Sequence, residues 1–489
     1  MQDILPRFIP PAEGRRPVYR RFKEAWAVCL VIGSLFTWAI LDRWSADSGS
    51  AAPVIGTTPK KKEIAPAPEI PNHTHPTSRR WAPIILDRPV DNMPTHFAPF
   101  IAASIGNPDD IYGEELLYPD FAIPMPIFAE DEHRRRWMSE TKGISARATL
   151  VDGQDYFQYK GQHGQNFARA ETQILTNVTY TPPTSYDNWG PQSCMNPGSS
   201  LRALHFEPQN ISDTASSHVA IDNALLAHTS DSWSFQHFLD RVTHVTAQAE
   251  HLTRDLNLTA LTGREGNAQG LWDAIGFDED HVLHAPGGEM SIERLFFSCK
   301  TPLIHPYLSL KTAEQMELAW TRPDFDVSLA EKKTILYMSR SNGLAKNGGR
   351  KVVNEVELLA AIHQTLVERN LDEKLVEFDQ DKFADTRALS NYMSKEVAAI
   401  IGPHGGAMMN HRWAAPNTLV IEFFPTSFLY YGHWEETSLL NQTYAAVVVE
   451  PAHGTDMVIN PEHITRLLQE NLGKVRQDSI RDVYSWESE

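Results

Sequence analysis

From Thr334 onward, short apolar runs alternate with amphipathic stretches. The runs at 334–338, 375–378, 397–401 and 419–423 are too short for helices and rich enough in Ile, Val, Leu and Phe to read as strands. Between them, residues 354–369 set Val356, Leu359, Ala360, Ile362 and Leu366 along one side of a helix, and 385–395 form another. Strands alternating with helices predict right-handed crossovers and a parallel sheet, so residues 319–459 read as a Rossmann-like lobe. Asn460 and Pro461 then start a helix carrying Ile464, Leu467, Leu468 and Leu472, within a C-terminal segment 460–489. Residues 101–318 mix strand and helix signals, with a clear helix near Ser234–Leu252. The whole predicts two α/β lobes with a cleft between them.

A different pattern precedes the folded part. Ala25–Leu41 is a run of 17 residues without a charge, about 26 Å long as a helix. Residues 1–24 hold six basic groups against three acidic ones, and no positive excess follows the run. By the positive-inside rule, 1–24 is a cytosolic tail, 25–41 a transmembrane signal anchor, and the rest lumenal. A cleaved signal peptide competes with this reading, but the apolar run is long and no clear cleavage site follows. Residues 42–100 contain ten prolines and the run Lys60-Lys61-Lys62, the composition of an extended stem. The expectation is a single-pass type II protein of the Golgi or endoplasmic reticulum membrane. Sequons begin at Asn72, Asn177, Asn210, Asn257 and Asn441, all beyond the run. Cys29 lies inside it, leaving Cys194 and Cys299 as a candidate disulfide, with two free buried thiols as the alternative.

Composition narrows the classes. The net charge of −18 argues against nucleic-acid binding, which needs clustered Lys and Arg. Three cysteines exclude a disulfide scaffold, and a mean hydropathy of −0.36 excludes a polytopic membrane protein.

Three segments carry chemistry. Gly402-Pro403-His404-Gly405-Gly406 follows a strand and opens a helix, where a close-approaching backbone and free N–H groups suit an anion. An ordinary strand-to-helix turn with a capping His reads the same way. Glu422 ends the next strand, placed to hold sugar hydroxyls or to form a structural salt bridge. In the second segment, Arg340 sits past a strand end, and Arg350 and Lys351 follow a glycine pair, so together they can clamp a diphosphate. A solvated charge is the plain alternative for each. In the third, Asp231–Arg241 forms an amphipathic helix, or else brings Asp231 and His237 to the cleft as acceptor-side bases.

In this order the segments resemble glycosyltransferase family 61, which includes protein O-GlcNAc and xylosyltransferases of the secretory pathway. The likeness covers roughly 200–450. It runs from Asp231–His237 through Ser339-Arg340, Arg350 and Asn354-Glu355 to the Gly402–Glu422 motif. The chain has Gly406-Ala407-Met408 where Ala-Gly-Leu is commoner, and extra length between Arg340 and Arg350. The resemblance implies a GT-B architecture of two Rossmann-like lobes, 101–318 facing the acceptor and 319–459 binding the nucleotide sugar. It also implies inverting transfer from UDP-xylose or UDP-GlcNAc to a glycan or glycoprotein hydroxyl. Arg340, Arg350, Lys351, Asn354, Gly402, His404, Gly405, Gly406 and Glu422 would then bind the donor, and Asp231 or His237 would serve as base, with no metal required. The alternatives are a metal-dependent GT-A enzyme using Asp278-Asp280, Asp324-Asp326 or Asp379-Asp381, and an inactive lumenal sugar-binding protein.

Overall fold

The computed structural model describes residues 97–107, 112–139, 148–150, 155–159, 167–180, 206–208, 219–227, 233–341 and 348–482. Within these spans, 264, 267, 269, 285–288, 303 and 477–479 are excepted. The expected membrane helix Ala25–Leu41 and the stem up to residue 96 lie outside the described residues. Among the described residues no helix is long and apolar enough to cross a membrane.

In chain order the first strands are β1 (Phe100–Gly106), β2 (Tyr112–Pro119), β3 (Phe121–Pro124), β4 (Ala148–Leu150), β5 (Tyr156–Tyr159), β6 (Phe167–Tyr180), β7 (Phe206–Pro208), β8 (Val219–Leu226), β9 (Thr259–Thr262), β10 (Val282–His284) and β11 (Met290–Lys300). One sheet has the order β1-β2-β6-β11-β8-β9-β10, with β7 beside β6. It is antiparallel from β1 to β11 and parallel from β11 to β10.

This sheet overturns the GT-B expectation of two Rossmann-like lobes. Its centre is a pair of long antiparallel strands, β6 and β11, where a Rossmann-like sheet would be parallel throughout. In β6 the even-numbered Ala170, Thr172, Ile174, Val178 and Tyr180 are buried, the period of a strand with one covered face. Thr172 occupies one of those core positions and bonds Gln248 at 3.1 Å, so the alternation is muted in sequence.

The second sheet is the predicted parallel one. β12 (Thr334–Tyr337), β13 (Lys374–Glu377), β14 (Val397–Pro403), β15 (Leu419–Pro425) and β16 (Thr443–Val449) stand in the order β13-β12-β14-β15-β16. Both faces are buried, which is why β14, β15 and β16 read as nearly continuous apolar runs. Ile335, Tyr337, Ile401, Ile421 and Val447 face a core shared with helices Glu355–Arg369 and Pro461–Asn471. Leu336, Ile400, Val420 and Val448 face a second core that runs on to Tyr118, Trp272 and Phe296 of the first half.

The sheet's two edges are treated differently. Edge strand β13 is short and carries Lys374 and Glu377 outward, which discourages pairing with another chain. At the other edge Ile127 pairs with β16: its N–H donates to the Tyr444 carbonyl at 2.9 Å, and its carbonyl accepts from Ala446. The strands β17 (Pro451–His453) and β18 (Asp456–Met457) form a hairpin, and β19 (Arg481–Asp482) pairs with β3.

Helix Glu355–Arg369 buries Leu358, Ile362, Thr365 and Leu366, whereas Val356, expected on that face, is 85% exposed. The helix expected near Ser234–Leu252 is a turn Phe235–His237, a π-helical stretch Phe238–Val242 and an α-helix Thr243–Thr253.

Candidate active site

The site forms at the carboxyl ends of β12, β14 and β15, where an open α/β sheet presents its ligand positions. Strands β12 and β14 come close there: a Cβ on Gly402 would lie 2.8 Å from the Met338 backbone and side chain. Pairing carries on past β14, with the His404 N–H donating to the Phe423 carbonyl at 2.9 Å. Gly405 follows, and a Cβ there would come 2.3 Å from Arg340 Nη1. Arg340 Nε donates to the Gly349 carbonyl at 3.0 Å, which aims the guanidinium along that loop.

Arg350 arrives from the same loop in a left-handed conformation, φ 60°. Non-glycine residues hold such a φ only when neighbours enforce it. Here the hairpin β17–β18 does so: Arg350 N–H donates to Thr455 Oγ1 at 3.1 Å and Lys351 N–H to Asp456 Oδ1 at 2.9 Å. Val353 N–H donates to the Met457 carbonyl, and Met457 N–H to that of Lys351. The Arg350 guanidinium lies 4.5 Å from the Phe428 ring centre, a cation–π contact. Both arginines are buried, at 8% and 6% exposure. Burial, and after it the positive Arg350, pulls the Arg340 pKa down to about 10, with Asp456 acting the other way. Burial also lowers that of Arg350. Two desolvated cations side by side favour an incoming anion.

Glu422, paired in register with Gly402, is fully buried. Its Oε1 accepts from His404 Nδ1 and His433 Nδ1, each at 2.7 Å, and its Oε2 from the Tyr444 hydroxyl at 2.5 Å. Burial alone would raise this carboxyl's pKa, but the two imidazoles and their hydrogen bonds hold it well below the usual range. Burial lowers the His404 pKa, against the pull of Glu422. The ring is therefore neutral, with its proton on Nδ1. Among the described residues Nε2 has no hydrogen-bond partner and is not sealed from solvent, whereas His433 Nε2 is both unpartnered and buried. The donor atoms of His404, Glu422 and His433 lie within 4.8 Å of one another, a spacing compatible with a metal. Here, though, both Nδ1 atoms already face Oε1 at hydrogen-bond distance.

The other candidates fall as follows. Lys351 is exposed beside Arg350, and Gly406 is exposed at the start of the 3-10 helix Gly406–Trp413. The Asn354 side chain is taken up within the fold, its Nδ2 donating to the Ile459 carbonyl and to Glu357 Oε2 and its Oδ1 accepting from Ile459 N–H. Asp231 lies outside the described residues. His237 is half-buried, with Nδ1 3.4 Å from Asp240 Oδ1. Its neighbour Gln236 donates to the Tyr430 hydroxyl at 3.4 Å, and the Tyr430 ring centre is 5.3 Å from that of His404, so this segment does adjoin the site.

Asp278 accepts from both the backbone and Nδ1 of His281, and Asp379 caps the turn Gln380–Lys382. Asp324 lines a cavity of about 740 Å³ with Glu250, Lys311 and Glu314. Asn177 and Asn257 are exposed and Asn441 is half-buried, while Asn72 and Asn210 lie outside the described residues. Cys299 lies in β11, and Cys194 is also outside them.

Sequence reading passed over Phe428, Tyr430, His433 and Tyr444. The first three belong to the aromatic stretch directly after β15, and the position past a parallel strand's carboxyl end was itself a signal. Tyr444 gave none, since only folding reveals that β16 carries it under Glu422.

Residues 208–421 match the family model Glycosyltransferase 61. No curated protein matches the chain. The matched stretch contains His237, Arg340, Arg350 and the Gly402–Gly406 loop. The chain carries a glycosyltransferase 61 domain, and it is a glycosyltransferase, an enzyme with a sugar donor and an acceptor.

Proposed function

We propose that the protein is an inverting glycosyltransferase that moves xylose or N-acetylglucosamine from a UDP-sugar to a hydroxyl of a glycan or glycoprotein. The observation that carries this reading is the buried pair Arg340 and Arg350 beside Gly405, at the end of the parallel sheet. When the anomeric C–O bond breaks, negative charge grows on the departing diphosphate. Preorganised guanidinium groups in a site of low polarity stabilise that charge without reorganising. Lys351, exposed next to Arg350 in the chain, adds an ammonium. The choice between xylose and N-acetylglucosamine rests on the family resemblance alone. The same reading places the enzyme in the secretory pathway, in the Golgi or endoplasmic reticulum, with its folded part lumenal. The basic residues ahead of Ala25–Leu41 and the exposed sequons at Asn177 and Asn257 support that location.

Thermal unfolding with and without UDP provides the test. Wild-type protein is stabilised by UDP. Arg340→Ala should retain its fold and lose about tenfold or more in UDP affinity, since hydrogen bonds to charged groups contribute about 1.5–3 kcal/mol. An unchanged UDP-induced shift in this variant would sink the donor-site assignment.

A further inference from the structure

We infer that His404 is the group that takes the proton from the attacking hydroxyl, and that Glu422 is its positioning residue. This rests on the UDP-sugar transfer proposed above, and it gives His404 a role other than holding the donor.

The geometry decides between the two ring nitrogens. Nδ1 is committed to Glu422 at 2.7 Å, so it carries the proton. Nε2 is left with a bare lone pair, unpartnered among the described residues and in reach of solvent. A bare nitrogen cannot donate to a phosphate, but it can accept from a hydroxyl. Glu422 is in turn fixed by His433 and Tyr444, so neither carboxylate oxygen can swing away. The arrangement is a base with its orienter, and the orienter is itself tied down. His237, the other imidazole beside the site, lacks this: its contact to Asp240 is 3.4 Å long.

The surroundings fit the task. Around the His404 ring stand Phe424 at 5.2 Å, Phe428 at 5.4 Å, Tyr430 at 5.3 Å and His433 at 5.0 Å. The charged and titratable groups facing it are Glu422, His433, Tyr430 and Arg350, with Tyr444 and His411 behind them. The Phe428 ring contacts both the His404 ring and the Arg350 guanidinium, so the base adjoins the diphosphate clamp. In the transfer step, the acceptor oxygen bonds to the anomeric carbon and its proton passes to Nε2. The anomeric C–O bond breaks, its electron pair leaves with UDP toward Arg340 and Arg350, and Glu422 stabilises the imidazolium that results.

The test uses full-length protein and UDP release from UDP-xylose and UDP-GlcNAc, with water as acceptor. His404→Gln should lower kcat by about 100-fold or more while UDP affinity stays within about twofold. Sodium azide attacks carbon without giving up a proton, so it should restore UDP release in this variant and form a glycosyl azide. Glu422→Gln removes the charge that raises the His404 pKa. It should therefore lower kcat and move the acidic limb of its pH profile to lower pH, which a purely structural defect would not do. Retained turnover in His404→Gln, failure of azide to restore it, or UDP affinity falling in step with rate would each overturn the assignment. So would loss of turnover in His237→Gln with His404→Gln still active. Absence of UDP release by the wild type with either donor would overturn the transfer reading itself.

Discussion

Gly405 has an extended backbone, φ 171°, which any residue adopts. What requires glycine there is the Arg340 guanidinium, 2.3 Å from where a Cβ would sit. Gly405→Ala should displace Arg340 while leaving the fold intact. UDP affinity, measured by calorimetry, should fall about tenfold with the melting temperature nearly unchanged. Arg340, Arg350, His404 and Gly405 were all legible in the sequence, because glycine and arginine after an apolar run carry their meaning locally. Glu422 was legible only as a carboxylate at a strand end. That it serves two imidazoles and a tyrosine depends on His404, 18 positions back, and on His433 and Tyr444, 11 and 22 positions further on. Asn354 shows the reverse: it sits beside the motif, yet its amide closes on the Ile459 backbone, 105 positions away.

The loop from Gly348 to Val353 has no regular structure of its own and borrows its shape from the hairpin. Thr455 Oγ1 both accepts from the strained Arg350 N–H and sits against Gly349, φ 81°. In Thr455→Ala that N–H loses its acceptor, at a local cost of about 1–2 kcal/mol. Hydrogen exchange at residues 349–352 should quicken, and UDP affinity should drop several-fold without loss of global stability. The same attachment explains why the helix after the loop, present as expected, buries a face that does not include Val356. Its rotation follows the Asn354–Ile459 clamp, which turns Leu358 inward and leaves Val356 in solvent. A stripe of five apolar residues spans more than one helix face, and only the docking partner selects which part is buried.

The parallel sheet was readable because burial on both faces writes continuous apolar runs. The first sheet was not, since pairing of β6 with β11 is a choice of partner across more than a hundred residues and leaves only a period-two trace. The two halves are fastened through buried polar groups as well as the shared core. Arg412, just after the His404 loop, pairs with Glu436 at 2.5 Å and donates to His244 Nε2 at 3.2 Å in the first half. Arg412→Met leaves the Glu436 charge buried and unpaired, and should destabilise the protein by about 3–5 kcal/mol. Denaturant unfolding measures this, and a change below about 1 kcal/mol would show that the pair is not a structural tie.

Ile127 lies against the edge strand β16, and nearby the Trp434 indole N–H donates to the Pro124 carbonyl, 310 residues apart in the chain. During synthesis the 124–127 segment therefore emerges long before the surface it completes exists. Contacts of such separation slow folding, because the loop between them must close before they contribute. The stretch 208–421 that carries the family likeness omits both of these partners, along with Glu422, His433 and Tyr444. A boundary drawn by resemblance is thus not a boundary for folding, and the donor end matures only when the earliest and latest parts of the domain have met.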